Sequence, residues 1–192
     1  ITSTGNCPSL APDAEPRMYL GGVLGGSLGR SLPGAFVAYC ENTGRVSYSG
    51  AFIVSHIGGI VGYNMRVKTK FCINRGEIVS AARGVEEGSD RYCQEMAGGI
   101  CGMAESGNID FCETTLDAAH TIRTEGGEIS MTGGIAGSMN GGRISACTFT
   151  GTGVLEAAFN TVPEGYYVYA QAGGIVGSTA EASIESCTAD FG

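Results

Sequence analysis

GGIVGYNMRVKTKFCINRGEI, residues 58–78, carries every mark that decides the fold of this chain. It opens on the pentapeptide GGIVG, places Cys72 ten residues after Gly62, and closes on Ile78 after a glycine turn. The pattern G-G-[IV]-x-G recurs as GGVLG from Gly21, GGICG from Gly98, GGIAG from Gly133 and GGIVG from Gly173. The five starts are separated by 37, 40, 35 and 40 residues. A cysteine again follows the closing glycine by ten residues at Cys112, Cys147 and Cys187; at Cys40 the gap is fifteen, an insertion of five. Isoleucine stands three residues before the cysteine at Ile109, Ile144 and Ile184, and the aliphatic residue after the turn recurs at Val46 and Val154. A fixed period of this length is the mark of a repeat architecture.

Each copy offers three short apolar segments: the pentapeptide, the stretch ending at the cysteine, and the stretch after the next turn. The reading is all-β, a parallel β-helix (β-solenoid) of about five rungs of three short strands. One such rung cannot bury its own side chains. Stacked on a copy of itself, it pairs backbone groups about 4.8 Å away and sets like on like, giving a rod of roughly 24 Å. Ile60, Ile100, Ile135 and Ile175 with Val23 are expected to form an inward column. The paired glycines allow unusual φ and close backbone approach. Ile144 and Cys147 are three apart, so either a bend or bulge lies between them or the cysteines face outward; a bend, which buries both, is the reading taken. Helical periodicity is absent, and a propeller's fourth strand has little room in the 35-residue copy.

Composition narrows the function classes. The chain has 192 residues, 33 of them glycine, with no G-X-Y triplet period. The net charge of −8 repels a polyanion, so no nucleic-acid role is expected. No apolar run approaches the roughly 18 residues of a membrane span, so no membrane insertion is expected. Ile1 opens the chain without a basic-then-apolar leader, which reads as a processed product or excised fragment. Residues 1–17, with Pro8, Pro12 and Pro16, are read as an N-terminal extension or cap, and 18–192 as the repeat domain.

The copies diverge between the third apolar mark and the next GG. Those segments, 47–57, 79–97, 123–132 and 155–172, hold 11, 19, 10 and 18 residues. Loop insertions therefore fall in rungs two and four, on one side of the rod. The first carries Glu86, Glu87, Asp90, Arg91 and Tyr92; the second carries Phe159, Tyr166, Tyr167 and Tyr169. Tyrosine clusters suit recognition surfaces, so Glu86, Glu87, Asp90, Tyr92, Phe159, Tyr166, Tyr167 and Tyr169 are candidate partner-binding residues. The alternative is that these loops fold back over a sheet face.

Five of the eight cysteines hold one repeat register, and Cys101 fills a slot that is Leu24, Val61, Ala136 or Val176 elsewhere. Cys7 and Cys93 lie outside the pattern, leaving a bridge from either open. His56 and His120 align with no nucleophile, and no carboxylate pair stands out, Asp110 with Glu185 included. No catalytic site, cofactor or metal is expected, so the chain reads as a non-enzyme.

The order GGIVG, ten residues, cysteine, G-x-[IV] turn resembles the GLUG-motif repeats, over about Gly21 to Cys187. The resemblance implies a secreted or cell-surface repeat module of the kind found in bacterial adhesins, and carries no catalytic residues. The long second and fourth copies and the proline-rich start depart from it. Three functions compete. The first is a non-enzymatic structural or adhesive module, extracellular or at the cell surface, whose partner is a protein or glycan on another cell or a neighbouring subunit. The second is a subunit of a self-assembling filament, since an uncapped final rung invites head-to-tail pairing. The third is a polysaccharide-active β-helix enzyme.

Overall fold

The computed structural model describes residues 1–6, 17–27, 35–51, 53–82, 93–159 and 168–192, and all regular structure among them is β-strand. The chain winds as a β-solenoid of five parallel sheets, A to E, each with five strands contributed by successive coils. Coil two shows the path: Val46–Ala51 in sheet A, Val54–Gly58 in B, Val61–Met65 in C, Lys68–Lys70 in D and Ile73–Asn74 in E. Coil three repeats it through Ile78–Ala82, Gln94–Gly98, Cys101–Glu105, Asn108–Asp110 and Glu113–Leu116. Coil four begins at Thr121 and coil five at Val154.

Each coil thus has five short strands where the repeat suggested three. Two of the expected strands are split. The second glycine of each GG and the aliphatic residue after it form the arc between sheets B and C, and a one-residue corner divides D from E ahead of every column cysteine. The stacking itself matches the sequence reading. Val23 N donates to the Ile60 carbonyl at 3.1 Å, Ile60 N to Ile100 at 3.1 Å, Ile100 N to Ile135 at 2.9 Å and Ile135 N to Ile175 at 2.9 Å. Ile60, Ile100 and Ile135 are fully buried; Ile175 is partly buried, and Val23, at the end of the rod, stays half exposed. Burying one such side chain stabilises the fold by roughly 1.5–3 kcal/mol.

The glycine pairs owe their place to space rather than to dihedral angle. None of the GG glycines has positive φ. A Cβ on Gly98 would overlap the Cys101 carbonyl oxygen of its own arc and crowd the Gly137 amide of the next coil. Backbone atoms cannot swing aside, so only hydrogen fits.

The described ends of residues 1–17 belong to the stack. Thr2–Asn6 pair in register with Ser47–Ala51 as the outer strand of sheet A, and Arg17 opens a sheet B strand paired to Val54. Every connection from A to B can therefore be compared. Residues 7–16, 83–93 and 159–168 are long, whereas 52–53 and 126–128 are short. Counted from sheet A, the long ones fall in coils one, three and five.

The interior is two apolar clusters. One lies among sheets C, D and E around Ile60, Ile100, Ile109, Ile135 and Ile144; the other lies among A, B and E around Tyr48, Ile57, Ile78, Ile122 and Phe149. Cys101, in register with Val61 and Ala136, packs in the first. Cys93 is buried in the second, and Cys7 lies outside the described residues.

The thiols of Cys40, Cys72, Cys112, Cys147 and Cys187 are unbridged and stacked. Each donates to the carbonyl two residues back, at 3.2 Å for Cys72 and 3.4 Å for Cys112. In-register parallel strands lie about 4.8 Å apart. A disulfide brings Cβ atoms to about 3.5–4.5 Å, so the column is held open by its own sheet.

Candidate functional site

Sheet D is a narrow strip, three residues per strand, bounded on both sides by residues in the left-handed region. The chain enters it through Arg66, Ser106, Gly141 and Glu181, with φ of 60°, 52°, 68° and 52°. It leaves through Tyr39, Phe71, Phe111, Ala146 and Ser186, with φ of 57°, 52°, 55°, 50° and 53°. A single left-handed residue turns the chain sharply, so the side chain two places before it and the one just after it both point inward. Ile144 and Cys147 are each fully buried around Ala146, and Ile109 and Cys112 are buried around Phe111. This is the bend read from the Ile–Cys spacing, and the cysteines face inward rather than outward.

The exit corner carries three stacked rings. Tyr39 to Phe71 and Phe71 to Phe111 each span 5.1 Å between centroids with planes 10° apart. The three residues are 80%, 42% and 55% exposed. Phe36, on the outer face of sheet D in register with Lys68, is also exposed. A non-glycine residue in the left-handed region costs roughly 1–2 kcal/mol. Aromatic stacking returns about 0.5–1.5 kcal/mol per pair. Yet Ala146 and Ser186 occupy the same corner without a ring, so the coil itself does not demand one.

Cations line the strip beside the rings. In coil two, Arg66 at the entry corner and Lys68 on the face are exposed, and Lys70 is half-buried. No carboxylate of the described residues pairs with any of the three. Lys70 is in register with Asp110, but the buried Asp110 carboxylate accepts from Ser145 Oγ at 2.6 Å and Arg143 Nη2 at 3.2 Å on its other side. Glu185 lies on the same face one strand beyond Ser145, exposed. The two carboxylates do share a face, as the sequence allowed, with Asp110 already engaged.

The residues singled out from the sequence fare unequally. Phe159 follows the last sheet A strand and is 50% exposed; Tyr169 opens the sheet B strand of the same coil and is 41% exposed. They stand at the two roots of one insertion. Glu86, Glu87, Asp90, Tyr92, Tyr166 and Tyr167 lie outside the described residues. The aromatic corner was not singled out, although its signal is present: the residue before the column cysteine is Tyr39, Phe71 or Phe111 in three successive copies.

Two other polar clusters are buried, the second with Tyr19 half-buried at its edge. Glu95, fully buried, accepts from Ser80 Oγ at 2.7 Å, Ala82 N at 2.6 Å and Gly127 N at 2.9 Å, while Glu128 accepts from Cys93 N at 2.6 Å. These carboxylates hold Ala82 and Cys93, the two roots of the insertion at 83–92. Burial pushes the Glu95 carboxyl up to about 7, against the pull of its three donors. The second cluster stacks Tyr19, His56 and Tyr63, with centroids 4.9–5.4 Å apart. The Tyr63 hydroxyl donates to Glu105, and burial raises its phenol. Burial and the Arg17 charge push His56 down to about 3, so its imidazole is neutral. Among the described residues no group of three or more His, Cys, Asp or Glu side chains is placed to hold a metal ion. Compared with protein-family models, with curated proteins and with solved structures, the chain matches none.

Proposed function

We propose that this chain is a structural, adhesive repeat module that presents a partner-binding strip, sheet D with its exit corner, on a rigid rod. One observation carries the reading: three exposed aromatic rings are held at a strained backbone position that alanine and serine fill elsewhere in the same molecule. Stacking covers part of the ring surface; a partner that packs on the rings covers the rest. The partner is a glycan or protein on another surface, and the resemblance to GLUG-motif repeats supports an extracellular or cell-surface setting and a non-enzymatic role.

The test is a triple substitution, Tyr39→Ser, Phe71→Ser and Phe111→Ser, which installs the residue that coil five uses natively at Ser186. Adhesion of beads coated with the chain to bacterial and epithelial surfaces is scored beside thermal unfolding. The variant folds and loses most of its adhesion. Full adhesion with a lowered melting temperature would make the rings structural and end the proposal.

A further inference from the structure

We infer that the strip binds a carboxylated polysaccharide, a chain of uronic-acid sugars, through Arg66, Lys68 and Lys70 with Phe111 as its stacking platform. This deepens the proposed function and rests on it.

Charge is the first argument. The chain carries −8, yet the coil-two strand of sheet D and its entry corner present cations at positions 66, 68 and 70, unpaired by any carboxylate of the described residues. With Arg143 two strands away, four cations face the single carboxylate of Asp110 on coils two to four. Over coils two to four the strip reverses the sign of the whole molecule, before Glu181 and Glu185 return negative charge at coil five, so an anionic ligand is drawn to this part of the strip. Lys68 and Lys70 lie two residues apart on one face, about 6.6 Å along the strand, a spacing that lets two acidic groups of one extended ligand be met together.

Shape is the second. The ring stack stops at Phe111, because the next corner residues are Ala146 and Ser186. Phe111 therefore keeps one ring face uncovered above a shelf two coils deep, about 9.6 Å. A pyranose laid on that face packs its C–H bonds against the ring. The two features together select an anion with an apolar sugar face. Nucleic acid fits less well: duplex DNA carries one charge per about 1.7 Å, and that density meets the full repulsion of a −8 chain.

Affinity electrophoresis tests this with three probes: polygalacturonate, the same polymer with its carboxyls methyl-esterified, and single-stranded DNA. The chain is compared with Lys68→Gln/Lys70→Gln and with Phe111→Ala, all at exposed or half-exposed positions, and near-identical melting curves establish that the variants fold. Polygalacturonate retards the chain at least about tenfold more strongly than the ester, and each variant weakens that binding by about tenfold, a free-energy change of about 1.4 kcal/mol. Equal retardation by the ester, untouched by the lysine substitutions, overturns the acidic ligand but leaves the adhesive strip standing. DNA binding as tight as polygalacturonate binding, with Phe111→Ala inert, reduces the strip to unspecific charge and overturns the inference. Absence of retardation by polygalacturonate overturns it directly. If the triple ring variant also adheres like the unaltered chain, the proposed function falls with it.

Discussion

The residues just before the cysteines and the cysteines themselves differ by one place in sequence. The first column reads Tyr39, Phe71, Phe111, Ala146 and Ser186; the second is cysteine in all five coils. The middle cysteines, Cys72, Cys112 and Cys147, are at most 2% exposed, whereas their predecessors Phe71 and Phe111 are 42% and 55% exposed. The difference lies in what each position touches. An inward residue meets the same residue of the coils above and below and side chains from three sheets, so a change of volume is felt in several places at once. A left-handed corner residue meets its column neighbours and solvent, so its identity varies from coil to coil, and the proposed binding strip lies there.

The contrast can be broken most severely at the glycines. Gly98→Ala drives a Cβ into backbone atoms of two coils and is expected to cost at least about 4 kcal/mol. That is a large share of a total stability of about 5–15 kcal/mol. Urea unfolding measures it; a loss below about 1 kcal/mol would mean the arc opens without resistance.

Glu95 is the interior position that departs most from the apolar rule, and it makes the interior sensitive to pH. Its carboxyl has an ordinary value of 4.5 and is raised to about 7 in the fold by burial. Between those values the folded chain keeps a proton that the unfolded chain has released. Stability from this group is therefore full below about 4.5, falls as pH rises to about 7, and is flat above. The fall is about 3 kcal/mol. Glu95→Gln removes that part of the pH dependence; urea midpoints at acidic and neutral pH that fall equally in both proteins would refute the assignment.

The smallest effects sharpen the comparison directly. Cys112→Ala leaves a small void in a packed column and costs about 1–2 kcal/mol. Phe111→Ala copies the native state of coil four and costs about 1 kcal/mol or less, the stacking of one ring pair, because alanine meets the same left-handed constraint. Paired denaturation curves decide the order, and a corner change costlier than the cysteine change would reverse the rule of the two columns.

What could be read in advance from the amino acids was the periodic part. The GG-[IV]-x-G spacing and the Ile–Cys offset were enough for the solenoid, for the isoleucine column and for the bend before each cysteine, because a stack demands like over like at every inward position. The strand count per coil was not legible: a one-residue left-handed corner such as Phe111 leaves no glycine or proline to mark it, and it divides one apolar run into two strands. The strand at Thr2–Asn6 was hidden for a related reason, since an end strand has a neighbour on one side only and needs no strong pattern of its own. Only the folded stack decided which residues share a surface. Lys68, Lys70 and Phe71 are close in sequence, but Phe36, Phe111 and Arg143 reach the same strip because coils about 35–40 residues long return to nearly the same place every 4.8 Å or so.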